Sequence, residues 1–370
     1  MKNKFLYKNI FMYASLQFCG NIEKYFVKHT EKLLVYIVMP RLKNKFNLIR
    51  IYHRGKMQQE IKARSSENIF LYYLLWFYYH WYILLNFFSF NEKFYVLVGH
   101  PVSLFGLTFQ RLVRRNAKFM YWIGDYFPQG GIAIQLFEKV KKHYHGRVDF
   151  VSYLSDGINK VFNNGKVVSA NNKKTVMWGV EPKNVQRNFP KDAFTILFIG
   201  LIKDSQGLEF MFDFLKKHKD YKLNIIGICD DKLYESYIKT IRRLGISSQV
   251  YFPNQFFSDE DLKEISKKCH IGVALYNVDK SNPTYYTDPG KVKAYAEMLL
   301  PVIMSDTSGI ASFVKKFRSG IVIDQSPSDL AKAFREIKNN YQEYILGLNK
   351  FNKYFYYEEY YRKAFKFLER

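Results

Sequence analysis

The sequence predicts an α/β protein built from two Rossmann-like domains with parallel sheets, and three observations carry that reading. Short strands too apolar to alternate recur between helical stretches, at Phe194–Gly200, Tyr221–Gly227 and Ile271–Tyr276. Parallel strands have that pattern because helices cover both of their faces. A strand, a glycine-containing loop and a helix start open both halves, first around Asn9–Ala14 and Gly20, then around Phe194–Gly200 and Gly207. The chain has 370 residues, enough for two ordinary domains, and 48% of them are apolar, ample for two cores.

In the first half, Asn9–Ala14 predicts a strand, followed by a helix through about Lys32. Leu33–Met39 predicts a second strand, ended by Pro40, and Asn47–Tyr52 a third. Ile69–Phe90 is apolar for about the length of a membrane span. Tyrosines throughout it, His80 and Asn86 inside it, and a strand at Phe94–Val98 soon after argue against spanning. A helix buried in the domain is the first expectation and an interfacial helix lying on lipid the second, which Lys62 and Arg64 just upstream and the aromatic rings would suit. Val96–Val98 runs into Gly99-His100-Pro101, a helix is expected over Leu104–Arg115, and Phe119–Ile123 runs into Gly124-Asp125. Polar groups at the carboxyl ends of such strands line the ligand crevice of open sheets, so His100 and Asp125 are the candidates here. A helix cap, a turn residue or a satisfied buried group is the alternative for each. A helix at Ile132–His143 and strands at Val148–Ser155 and Thr175–Val180 complete this half, and a linker follows from Glu181.

In the second half, helices are expected over Leu233–Leu244 and from Asp259 to Lys268, with a strand at Val250–Pro253 between them. The stretch Tyr285–Asp306 then reads as a loop, a helix and a buried strand. Asp288-Pro289-Gly290 is turn chemistry, Pro301 stops the helix, and Val302-Ile303-Met304 is apolar. Lys291 sits in the first turn of that helix, where free backbone N–H groups and the helix dipole attract anions.

Pro289, Lys291, Tyr295, Pro301-Val302-Ile303 and Asp306 together resemble the donor-site segment of GT-B glycosyltransferases, in particular the bacterial group 1, family 4-like enzymes. The likeness runs in order over about 190 to 335. It implies a GT-B fold: two Rossmann-like domains facing an interdomain cleft, 1–187 on the acceptor side and 188–345 holding a nucleotide-sugar, with 346–370 ending in a helix that crosses back. It implies transfer of a sugar from a nucleotide-sugar donor to an acceptor hydroxyl. His100 would contact the transferred sugar, and Asp125 would orient the acceptor or act as a base. Gly200, Lys203, Gly207 and Lys291 would hold the donor diphosphate, and Gly227, Asp288, Pro289 and Asp306 the nucleoside and sugar. Two departures stand out. Leu201 and Gln206 occupy the positions where typical members place Arg and Lys, and Tyr286 and Ala294 replace a Glu-x7-Glu pair.

Composition narrows the partners. The formal net charge is +24, which calls for an acidic partner, although an AT-rich coding bias toward Lys, Asn, Tyr, Phe and Ile accounts for part of it. Basic residues are spread along the chain rather than gathered with aromatics on one element, which argues against nucleic acid. An anionic membrane surface and a glycan or lipid-linked acceptor are the partners expected beside the donor. Cys19, Cys229 and Cys269 have no paired spacing, and Asp259-Glu260-Asp261 reads as the acidic start of a helix rather than as a metal motif, so neither metal nor other cofactor is expected. The N-terminus lacks signal-peptide features, and a cytoplasmic location, peripheral at the inner face of the membrane, is the expectation. Capsule, lipopolysaccharide or another surface glycan is the expected product. An inactive GT-B scaffold in a glycan-assembly complex and a nucleotide-sugar epimerase are the rival readings.

Overall fold

Most of the short apolar runs of both halves fold as parallel strands, whereas Asn47–His53 pairs antiparallel and the long run Ile69–Phe87 is a helix. The structure, a computed structural model, describes residues 5–15, 20–39, 46–87, 93–99, 116–187, 194–203, 206–307, 309–324 and 326–369. The chain divides into two units, Met1–Gly179 with Tyr357–Arg370, and Val180–Tyr356.

The first unit holds β1 (Tyr7–Ser15), α1 (Ile22–His29), β2 (Thr30–Val38), β3 (Asn47–His53), β4 (Lys56–Ala63), α2 (Ile69–Phe87), β5 (Phe94–Val98), β6 (Ala117–Ile123), α3 (Ile132–His145), β7 (Phe150–Tyr153), α4 (Asp156–Phe162) and β8 (Lys173–Thr175). Its sheet runs β4-β3-β2-β1-β5-β6-β7-β8. All pairings are parallel except β2 with β3 and β3 with β4. α1 stops three residues before the expected Lys32, because Thr30 turns extended and pairs with Tyr7. Sheet pairing outweighs the helical tendency of the segment. β4 was not legible in the sequence: Arg54-Gly55, both at positive φ, close a hairpin turn, and the returning strand is exposed along almost its whole length and carries Lys, Gln and Glu between Met57, Ile61 and Ala63. The helix expected over Leu104–Arg115 lies outside the described residues.

α2 lies on this sheet. Trp76 stacks on Tyr13 with ring centroids 5.7 Å apart, His80 sits 5.6 Å from Phe11, and the Tyr72 hydroxyl donates to the Met39 carbonyl at 2.9 Å. Burial pushes the His80 imidazole down to about 3. Among the described residues no helix is long and apolar enough to cross a membrane.

The second unit holds β9 (Phe194–Ile199), α5 (Leu208–Lys217), β10 (Tyr221–Ile226), α6 (Asp231–Arg243), β11 (Val250–Tyr251), α7 (Asp259–Lys267), β12 (Ile271–Ala274), α8 (Gly290–Glu297), β13 (Val302–Ser305), α9 (Ile310–Phe317), β14 (Gly320–Ile323), α10 (Pro327–Asn339) and α11 (Tyr341–Phe355). The sheet order is β11-β10-β9-β12-β13-β14, parallel throughout. The helices start at caps the sequence carries. Asp230 accepts the Leu233 N–H, Ser326 the Asp329 N–H, and Ser258 with Asp261 forms a capping box at α7. Ile196, Phe198, Leu223, Ile225 and Ile303 from the sheet are buried with Phe212, Leu215, Phe334 and Ile337 from the helices.

The end of the chain serves both units. α11 is tied to α8 by the Asn352 amide donating to the Ala296 carbonyl at 2.6 Å. From Tyr357 the chain returns to the first unit as α12 (Tyr357–Ala364). There the Tyr361 hydroxyl accepts from the Gly179 N–H and donates to the Gly20 carbonyl, each at 2.7 Å.

Candidate functional site

The second unit's chain moves outward from β9 in one direction to β10 and β11, and in the other through β12 to β13 and β14. The switch point therefore lies between β9 and β12, and open sheets bind ligands in the crevice outside the strand ends there. Glycines stand at this edge. Gly200 follows β9 at φ +115, and Gly227 follows β10. The Gly200 N–H donates to the Ile226 carbonyl at 3.0 Å, which draws the two strand ends together. A Cβ on Gly227 would lie 1.9 Å from the Gly200 carbonyl oxygen, so no side chain fits.

α8 is seated over the switch point by Tyr295. Its hydroxyl accepts from the Ile199 N–H at 3.1 Å and donates to the Val273 carbonyl at 3.0 Å, bridging β9 and β12. That anchor aims the first turn of α8 at the two glycines. The result is a pocket of about 310 Å³ lined by Gly200, Gly227, Lys291 and Ala294, with apolar walls that include Phe256 and Phe257.

Lys291 is the charged group in this pocket's wall. The residue as a whole is partly exposed, but its Nζ is enclosed and has no hydrogen-bond partner among the described residues. The nitrogen lies 3.9 Å from the Phe198 ring centroid and 5.1 Å from that of Tyr276. Ring faces attract a cation but give no counter-charge. Desolvation accordingly lowers the Lys291 ammonium to about 7. An anion entering the pocket would restore its charge.

The other residues expected to act are dispersed. Gly207, at φ +76, precedes the first turn of α5, with Leu275 filling the space where its Cβ would be. Lys203 is exposed on the loop after β9 and is not among the residues lining the pocket. Pro289 is the residue from which α8 starts. Asp288 is buried, with one oxygen 3.9 Å from the Lys293 ammonium, which in turn lies 3.1 Å from the Phe355 ring centroid. Burial lowers Lys293, opposed by Asp288 and Glu297. Asp306 is exposed and pairs with Lys315 at 2.8 Å. Asp125 belongs to the first unit, exposed just beyond β6, and His100 lies outside the described residues.

The loop carrying Asp125 is pinned from α3. The buried pair Glu138–Lys141 is 2.6 Å apart; Lys141 donates to the Asp125 carbonyl at 2.8 Å, and Glu138 accepts from the Phe127 N–H at 3.1 Å.

Two features were missed in the sequence, and a third, Gln206, was noted there for its identity but not for its surroundings. Phe198 and Tyr276 look like core residues, and only the fold reveals them as the bed of Lys291. Phe256-Phe257 lies three residues after the expected strand end at Pro253, and two adjacent aromatics in a polar loop were the available signal. Gln206 has an enclosed side-chain oxygen with no partner among the described residues, at the position where Lys was expected by likeness. Among the described residues no cluster of His, Cys, Asp and Glu is arranged to hold a metal ion.

Residues 180–353 match the family described as glycosyl transferases group 1. No curated protein matches the chain in sequence. Among solved structures, sucrose-phosphate synthase from Thermosynechococcus elongatus is similar with TM-score 0.69 at 15% identity, over 97% of this chain and 99% of that one. Anabaena HepE in complex with UDP is similar with TM-score 0.67 at 12% identity over the same shares, 97% and 99%. The lipopolysaccharide outer core galactosyltransferase WaaB gives 0.64 at 16%, again over 97% and 99%. At such identities the likeness is one of fold.

Proposed function

From the premise that the chain is a GT-B glycosyltransferase whose residues 180–353 belong to group 1, we propose that the pocket at the second unit's switch point takes the nucleotide-sugar donor. The observation that carries this reading is the enclosed Lys291 ammonium beside Gly200 and Gly227, which has no hydrogen-bond partner among the described residues. A donor diphosphate supplies the missing counter-charge, and the glycines let its backbone-facing side come close. Negative charge builds on the departing diphosphate during transfer, so fixed donors aimed at it lower the barrier. Lys291, the free N–H groups at the start of α5 after Gly207, and Lys203 from its loop are the donors proposed, with Gly227 near the nucleoside and Asp288, Pro289 and Asp306 framing the segment.

Asp125 is proposed to orient or deprotonate the acceptor hydroxyl, on a loop that Glu138 and Lys141 hold in place, with His100 on the transferred sugar. The acceptor proposed is a lipid-linked or glycan precursor of a surface polysaccharide such as capsule or lipopolysaccharide, assembled in the cytoplasm. The fold likeness to WaaB supports that choice, and transfer of labelled sugar to a lipid extract tests it.

A thermal-shift series with UDP-, GDP- and CDP-sugars on the wild type and Lys291→Met tests the donor site. A ligand at about 100 times its Kd stabilises by about 2.7 kcal/mol. One nucleotide class is expected to raise the melting temperature of the wild type, with the shift lost in the variant. The exposed Leu201 and neutral Gln206 favour a second reading, an inactive scaffold, and no shift with any nucleotide selects it.

A further inference from the structure

α2 has a second face that the described residues leave uncovered. Its inner side is spent on the sheet through Trp76, His80 and Ile83, all buried. On the outer side Phe70 is 84% exposed, Leu74 64%, Tyr78 56% and Leu85 51%, with Leu71 and Tyr82 also exposed. At 100° per residue these six positions cover an arc of about 120°, and none is charged. Single exposed apolar residues are ordinary, but a continuous apolar strip on one helix marks a contact surface.

Charge points to the kind of surface. The first unit holds 31 Lys and Arg against 12 Asp and Glu, whereas the second holds 26 against 21. Lys56, Lys62 and Arg64 are exposed on β4 and the turn leading into α2, and the Arg64 N–H donates to the Tyr79 hydroxyl at 3.1 Å, which sets this basic end beside the helix. A second copy of so basic a unit repels this one, while an anionic surface is attracted. Tyrosine among leucine and phenylalanine suits the boundary between lipid headgroups and acyl chains. The same helix cannot span, because half of it is committed to the protein core.

We propose that the outer face of α2 docks the chain on an anionic lipid bilayer, with the helix lying in the interface. This inference stands apart from the donor site and uses none of its residues.

The test is co-sedimentation of the full chain with vesicles of phosphatidylglycerol and phosphatidylcholine, and with phosphatidylcholine alone, followed for Leu74→Glu and Lys62→Ser. Wild type is expected on the anionic vesicles only, with Leu74→Glu weakening binding more than about tenfold. Lys62→Ser is expected to weaken it about fivefold. Both positions are exposed, so the variants keep the fold, checked by their unchanged circular dichroism and nucleotide-induced thermal shift. Equal binding to neutral vesicles, no binding by wild type, or binding indifferent to Leu74→Glu each overturns the proposal. So does a dimer in sedimentation velocity that Leu74→Glu dissociates without any vesicle binding. If vesicle binding fails while the nucleotide shift persists, the donor reading stands alone.

Discussion

Lys291, the proposed binding group, is also a cost to the folded protein, because its ammonium is stripped of water and, among the described residues, receives only ring faces in return. Burial depresses its folded-state value to about 7 from the ordinary 10.5. Between those two pH values the unfolded chain holds a proton that the folded one has lost, so this group's contribution to stability rises with pH across the window. It is at its least favourable below about pH 7 and vanishes above about 10.5. Diphosphate binding has the opposite demand, since it needs the charged form. We expect nucleotide affinity to fall by up to about tenfold per pH unit above pH 7, the limit for one linked proton. Calorimetry at pH 8 in buffers of different ionisation enthalpy should show proton uptake on binding by wild type and none by Lys291→Met. Uptake by the variant would assign the proton elsewhere.

At the scale of the element, α8 works because one side chain fixes it to two strands. The Tyr295 hydroxyl satisfies a buried N–H of β9 and a buried carbonyl of β12 at once. Beneath its ring lies Gly272, where any Cβ would meet ring carbons at 2.5 Å. Tyr295→Phe keeps the ring and leaves both backbone groups unsatisfied, which should cost about 2 kcal/mol in denaturant unfolding. Because the same bridge aims Lys291, the variant should also lose nucleotide affinity at a temperature where it remains folded. A loss of stability with affinity unchanged would mean that the α8 turn is positioned by other contacts. The element was legible from Pro289-Gly290-Lys291 and Pro301, since proline and glycine act locally on the backbone. Its anchor was not, because the partners of Tyr295 are 96 and 22 residues away in sequence.

At the scale of the whole molecule, charge and fluorescence divide in the same way. All four tryptophans, Trp76, Trp81, Trp122 and Trp178, fall in the first unit, which also carries most of the net positive charge. Self-repulsion over a unit of this kind weakens the compact state and is screened by salt. Raising ionic strength from 0.01 to 0.15 M shortens the screening length from about 30 to about 8 Å. The tryptophan-detected melting temperature should therefore rise across that range. A flat or falling midpoint would show that the positive charges are locally balanced.

The α/β class, the parallel strands of the second unit and the loop–helix–strand segment around Lys291 could all be read from the order of residues alone. Those features rest on apolar runs, glycine and proline, whose effects are local. Tertiary structure decided the rest. β4 is held by pairing with β3, because it is exposed along most of its length and shows no apolar run of its own. Asp288 and Asp306 are each set beside a lysine, Lys293 and Lys315, which no spacing revealed. The environment of Lys291, two aromatic faces and two glycine strand ends, is drawn from segments spread over about ninety residues. Burial and proton affinity are properties of that assembled surrounding, so a one-dimensional pattern could name the lysine but not the state in which the fold holds it.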